Sequence, residues 1–336
     1  MAIETFFYVL WEEPLVCVVC TGSPMASGLE LALAHARGRA CHILVRLTWE
    51  ASVMADQIAA TAHRLRVEQP KARLVAMTPT LEDACLLGDL GIETLWAHNS
   101  AFIDERIYYP EAGAPKLYDA VHTAQTKSFK RHELAFDVPN LALISYAEAA
   151  SELSVGELAA RYRGLSYANW SAETGIQNLA ADAVRGVVSR ARCGLLLSAA
   201  EGPNNASMEY FLCGLPLVTT PGAGGREVMY DPRHVVFVEP APSAVEAAVR
   251  RFRSEAPDPE QVRRSALAKT LPHRRRLIDW LSATVSRDLT TQADANGWLP
   301  QFRDKLRQKW LVERRPDGSL AARSLADMGM PTLREA

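Results

Sequence analysis

The stretch from Arg192 to Thr220, RCGLLLSAAEGPNNASMEYFLCGLPLVTT, constrains the fold more than any other part of the chain. Its apolar run Leu195–Leu197 does not alternate, the pattern of a strand buried on both faces of a parallel sheet, and the predicted strand stops at Ser198. Asn204 and Asn205 then offer N-cap side chains, and Met208, Phe211 and Leu212 recur at the spacing of an inward helix face. Gly214 is the expected stop, and LPLVTT reads as a second strand. Strand, loop, short helix and strand in that order default to a right-handed parallel crossover. The loop from Glu201 to Asn205 therefore stands above the carboxyl ends of parallel strands, where open α/β sheets bind ligands.

That position has a specific chemistry. A helix N-terminus presents unpaired N–H groups and a partial positive charge, so it stabilises a phosphate without a basic side chain. Small residues such as Gly202 and Ser207 let the anion approach. Asn205 and Glu209 are i, i+4 neighbours, which puts the Glu209 carboxylate on the loop's face, placed to accept from the hydroxyls of a ribose. As a bare spacing, two glutamates eight apart say little, because acidic residues near a helix start are favoured by the dipole alone.

The whole string says more. EGPNNASMEYFLCGLPLVTTPGAGGREV resembles the nucleotide-binding half of retaining GT-B glycosyltransferases with a Glu-x7-Glu motif: Glu201 and Glu209 stand at that spacing, followed by an apolar turn, Gly-x-Pro at Gly214 to Pro216, a β-rich strand, and Gly224 with Gly225. The resemblance implies an α/β fold of two Rossmann-like domains with parallel sheets facing across a cleft. It also implies a nucleotide-sugar donor, Glu201 on the sugar, and a Gly-rich turn beside the donor.

The rest of the chain is compatible with that plan. Apolar runs at TFFYVL, LVCVVC, HILVRL, RLVAMT, IETLWAH and YDAVHTA alternate with helical stretches such as residues 51–68 and 81–90, and a second series runs through LALISY, CGLLLS, LPLVTT and HVVFVE. The turn residues of DVPN place the break at residues 137–140. The expected domains are residues 1–138 (acceptor side), 139–256 (nucleotide-sugar side) and a helical tail, 257–336, packing back across both with Trp280, Trp298 and Trp310 as apolar anchors. Lysine and arginine total 37 against 39 acids, so the net charge of −2 gives no case for nucleic acid as a partner. The start carries acids where a signal peptide needs bases, and no apolar run reaches the roughly 20 residues that span a bilayer. A cytoplasmic protein, at most at the inner face of the membrane, is the expectation. The basic run PHRRRLIDW reads as a solvated helix face, with an anionic lipid surface as the alternative contact.

The chemistry of transfer narrows the donor. Cleaving a bond to an anomeric carbon requires a stabilised departing phosphate and a positioned acceptor hydroxyl. No Asp-x-Asp occurs in the chain and no clustered His/Cys/Asp set appears, so a reaction without metal or other cofactor is expected. Retaining members with diphosphate donors carry an Arg and a Lys soon after the first strand of the second domain, whereas after LALISY only Arg161 and Arg163 are at hand. That favours CMP-Kdo over a UDP- or GDP-sugar. The segments WAHNSAFIDERIYYP and KLYDAVHTAQTKSFKRHELA, with His98, Asn99, Asp104, Glu105, Lys127, Lys130, Arg131 and His132, are similar to retaining bacterial Kdo transferases. On that resemblance Asp104 is the nucleophile and His132 the proton relay, both facing the donor loop from the first domain, with Lys130 and Arg131 supplying positive charge. The expected activity is transfer, with retention, to a growing bacterial surface glycan or lipid-linked glycan; a sugar-nucleotide 2-epimerase and a non-catalytic transferase-like subunit are the alternatives.

Overall fold

A computed structural model describes residues 2–5, 7–20, 25–145, 155–303, 310–314 and 320–324. The chain divides into two compact units, Met1–Phe102 together with Leu271–Ala336, and Ile103–Thr270.

The first unit opens with β1 (Ala2–Thr5), β2 (Phe7–Glu12), β3 (Leu15–Cys20), α1 (Met25–Ala36), β4 (Cys41–Arg46), α2 (Ala51–Glu68), β5 (Ala72–Thr78), α3 (Leu81–Asp89) and β6 (Glu93–Trp96). Its main sheet has the order β2-β3-β4-β5-β6, with β3 to β6 parallel and β2 antiparallel at the edge. Cys17, Val19, Ile43, Val45, Leu74 and Ala76 point to one face and bury Leu29, Ala32, Ile58, Leu65 and Leu87 from the helices. The period-2 alternation of the strands thus meets the helical stripes of α1, α2 and α3. Thr80 caps α3 by accepting from the Asp83 N–H.

The second unit contains β7 (Ala120–Thr123), β8 (Leu141–Ile144), α4 (Val155–Arg161), β9 (Leu165–Tyr167), the hairpin β10 (Trp170–Ser171) and β11 (Gly175–Ile176), α5 (Ala181–Ser189), β12 (Gly194–Leu196), α6 (Asn205–Leu212), β13 (Leu217–Thr219), β14 (Val235–Phe237), α7 (Pro242–Arg251) and the start of α8 (Pro259–Thr284). Its six-stranded main sheet is all parallel, in the order β14-β13-β12-β7-β8-β9. Counted along the chain from β7, this is the doubly wound order 3-2-1-4-5-6, and the order reverses between β7 and β12. The boundary expected at residues 138–139 therefore moves to 102–103. YDAVHTA does not close the first sheet; as β7 it is the first and central strand of the second, paired with both β8 and β12.

The tail departs from expectation too. The chain returns to the first unit at Leu271, inside α8, and after α9 (Pro300–Arg303) come two strands, β15 (Trp310–Arg314) and β16 (Leu320–Ser324), forming an antiparallel sheet β1-β15-β16. The Trp310 side chain lies outside the described residues. The basic run is a solvated face only in part, at Pro272, Arg275 and Asp279. Arg274 donates from Nε to the Ala101 carbonyl (2.6 Å) and stacks 4.2 Å over Trp298, while Arg276 lies 3.9 Å over Trp96. Only Arg275 of the three is exposed, which removes the basis for a lipid contact there. Among the described residues no helix is long and apolar enough to cross a membrane.

One close approach fixes α6 on the second sheet. Tyr210 is buried flat against Gly194 of β12, where an added Cβ would fall 2.1 Å from the ring, and its hydroxyl accepts from the Thr123 N–H at the end of β7 (2.7 Å). Gly194→Ala should therefore cost about 1–3 kcal/mol or more in urea unfolding, because neither the strand nor the ring can yield. Gly88→Ala in α3, with nothing near its added Cβ, should be neutral or stabilising by up to about 1 kcal/mol. Equal effects of the two substitutions would contradict this packing.

Candidate functional site

The switch point between β7 and β12 collects the charged side chains. From β7 the chain leaves through residues 125–131, and from β12 through residues 198–204. Lys130 Nζ forms an ion pair with Glu201 Oε1, the two side chains being only 8% and 12% exposed. Asn204 Nδ2 donates to the same Oε1 (2.6 Å), while Asn204 Oδ1 accepts from the Ser207 N–H (2.9 Å) and caps α6. One asparagine thus couples the carboxylate to the helix start. Asn205 is the first helical residue and is exposed, so the cap is Asn204 alone. Glu209 is buried one turn further on.

The glycines have a steric reason. Ala200 and Ala223 form a parallel bridge, and the Glu201 N–H donates to the Ala223 carbonyl (2.9 Å). A Cβ on Gly224 would lie 2.0 Å from the Glu201 carbonyl oxygen, at a φ of +115°. Gly225, at φ 79°, starts the short turn Arg226–Met229. Gly202 is buried within the same loop.

Two guanidinium groups complete this edge. Arg131 stands between two short 3-10 turns at φ 49°, a left-handed conformation that costs a non-glycine residue about 1 kcal/mol or more. It donates to the Leu197 carbonyl and to Thr220 Oγ1, at the ends of β12 and β13. Its pKa is lowered by burial first and then by the neighbouring charge of Arg226. Arg226 is 1% exposed and donates to the carbonyls of Ser198 (3.0 Å) and Thr220 (2.8 Å). Thr123 Oγ1, Ser198 Oγ, Glu201 Oε2 and Arg226 Nε are all buried here without a hydrogen-bond partner among the described residues. Such atoms are scarce in folded proteins and concentrate where a ligand or water completes the site.

The sequence reading named most of this edge but misplaced part of it. Lys130, Arg131, Glu201, Gly202, Asn204, Ser207, Gly224 and Gly225 gather on one rim of the second unit. Lys130, Arg131 and His132 were expected in the first domain; they follow β7 and belong to the second. His132 is buried with both ring nitrogens engaged, Nε2 donating to the Gln125 carbonyl (2.8 Å) and Nδ1 facing the Tyr162 hydroxyl (2.7 Å). Burial lowers its pKa, so it stays neutral as a structural strut, and this bonding argues against its expected part as a relay. Asp104 closes its own turn: Oδ1 accepts from the Arg106 N–H and Nε (both 2.9 Å), and Oδ2 pairs with the same guanidinium. Glu105 is buried beside it, its carbonyl accepting from Arg263 (2.8 Å). His98 and Asn99 lie in the first unit, where Asn99 donates to the Leu47 carbonyl. Arg226 was missed, although its place directly after Gly224 and Gly225 was the signal that could have found it.

No family model matches the chain, and no curated protein matches it. Solved structures do. Sucrose-phosphate synthase from Thermosynechococcus elongatus aligns with a TM-score of 0.54 at 13% identity, over 77% of this chain and 78% of its own. Anabaena HepE in complex with UDP and glucose aligns with a TM-score of 0.55 at 10% identity, over 79% and 78%. The fold is GT-B. At these identities the likeness is one of architecture, and within the GT-B plan the edge described above belongs to the second, doubly wound unit.

The buried Lys130–Glu201 pair yields a quantitative expectation. Removing either partner leaves the other charge uncompensated, so Lys130→Met and Glu201→Gln should each destabilise by about 2–3 kcal/mol. The double variant should cost less than the sum by about 1–3 kcal/mol. Additive costs in urea unfolding would show that the two groups do not interact.

Proposed function

We propose that the chain is a glycosyltransferase that takes a sugar from a nucleoside-diphosphate donor, without a metal, and passes it with retention to a bacterial glycan acceptor. The observation that carries this reading is that Lys130 pairs with Glu201, Asn204 ties the same carboxylate to the start of α6, and Arg131 holds the neighbouring ends of β12 and β13, at the switch point of a parallel sheet. A diphosphate leaving group needs cations and oriented N–H donors where its charge develops. This rim offers both.

The same observation favours one class of donor. The expectation of a single-phosphate donor rests on the lack of a lysine soon after LALISY. That strand is β8, however, and the first strand of the second unit is β7, after which Lys127, Lys130 and Arg131 follow within eight residues. The basic residues that a diphosphate donor calls for are therefore in place, and the case for CMP-Kdo loses its premise. HepE, of the same fold, is described in complex with UDP and glucose, which supports a uridine diphosphate sugar as the first donor to try.

In this reading the phosphates lie against the 202–207 segment, Glu209 accepts from the ribose hydroxyls and Glu201 serves the sugar. The cations neutralise the departing diphosphate; the acceptor hydroxyl attacks the anomeric carbon from the face that the leaving group vacates as the bond to phosphate opens, and its proton passes to the departing phosphate oxygen, so the configuration is retained. Asp104 has no assigned step, since Arg106 holds both of its carboxylate oxygens.

Calorimetry with UDP, GDP, CMP and CMP-Kdo tests the donor class. A nucleoside diphosphate should bind, and Glu209→Ala should weaken it by about 1.5–3 kcal/mol through lost charge-assisted bonds. Binding of CMP-Kdo with no binding of any diphosphate would overturn the donor class. If Glu209→Ala bound as tightly as the wild type, the ribose assignment would fall.

A further inference from the structure

Among the described residues Arg226 has no acid partner. It is 1% exposed, its two hydrogen bonds go to the neutral carbonyls of Ser198 and Thr220, and Nε is buried with nothing to donate to. A guanidinium carries five N–H donors, of which two are used. Burying a charge without a counter-ion costs several kcal/mol, so proteins pair such groups or neutralise them, and an arginine does not deprotonate. Beside it stands a second guanidinium, Arg131, reaching the same strand ends at Leu197 and Thr220. Burial first, and then the charge of Arg226, lower the pKa of Arg131, so the two guanidinium groups share one poorly compensated region.

The packing shows that this burial is built in. Gly222 is the residue that lets the guanidinium in, since a Cβ there would lie 2.5 Å from Arg226 Nη2. The carbonyls of Ser198 and Thr220, at the ends of β12 and β13, hold the group in place under the loop that carries Glu201 and Gly224. A cation held this way, out of water and without an acid, exerts its field on whatever occupies the rim above it, because screening is weak in the interior.

We infer that Arg226 is a positioning residue whose counter-ion is the donor's diphosphate: a buried charge beneath the rim that raises affinity for phosphate charge without touching the ligand. This rests on the reading of the rim as the donor site. Its signature is that affinity should depend on ligand charge. Removing the positive charge should weaken a diphosphate strongly, a monophosphate less, and an uncharged nucleoside hardly at all, while the fold holds or gains stability because an unpaired buried charge has gone.

The test is calorimetry of UDP, UMP and uridine with the wild type, Arg226→Met and Arg226→Lys, with thermal unfolding of each. Arg226→Met should bind UDP about tenfold or more weaker, equivalent to about 1.4 kcal/mol, with UMP affected less, uridine unchanged and the melting temperature not lowered. Arg226→Lys keeps the charge and should retain most of the UDP affinity. If Arg226→Met does not fold, Arg226→Gln removes the charge while keeping an amide donor for one of the carbonyls, and carries the same comparison. Equal losses for UDP and uridine, or UDP affinity within twofold of the wild type in the charge-removing variant, would overturn the inference. Failure of the wild type to bind UDP, UMP and other nucleoside diphosphates would instead remove the donor reading on which it rests.

Discussion

Everything at the candidate site follows from the place where the strand order of the second sheet reverses. β7 and β12 lie side by side and parallel, yet their helices and loops depart to opposite sides, so the carboxyl ends of the two strands open a crevice. Into it come Lys130 and Arg131 from one strand and Glu201 and Asn204 from the other. The ion pair between Lys130 and Glu201 closes the crevice from inside and Asn204 ties it to the first turn of α6, so charge, backbone donors and helix dipole share one small region. The pair also explains how a carboxylate can be buried at a rim that must receive an anion: its charge is already compensated.

The cost of this arrangement is borne by the packing beneath it. Tyr210 lies on Gly194 and bonds the end of β7; Gly222 admits Arg226; Gly224 passes close over Glu201. Each of these approaches depends on a missing side chain. The site is therefore closely packed from beneath, which suits a task where binding geometry must be set before the ligand arrives.

Local pattern made much of this legible. The strand from Leu195, the loop at Glu201, the Asn204 cap, the helix and the strand from Leu217 stand as the residue types demand, and α2 covers Ala51–Glu68 as its periodicity suggests. What failed was information that is not local. YDAVHTA reads as a strand, but its sheet is decided by pairing between Val121 and Gly194, far along the chain, and one misassigned strand moved Lys130 and Arg131 to the wrong unit. His132 reads as a proton relay and the arginines of PHRRRLIDW as polar surface because their partners, Tyr162, Trp298 and Trp96, lie elsewhere in the sequence. Arg226 escaped notice because a charged residue after a glycine pair ordinarily faces water.

Amide hydrogen exchange with and without saturating UDP tests the central claim, that the donor's diphosphate is held at this switch point, most directly. The account expects slower exchange in residues 125–131, 201–207 and 223–227, the three segments that meet there, and little change in the β5 and α2 segments of the first unit. Protection confined to the first unit, with those three segments exchanging as in the free protein, would contradict it.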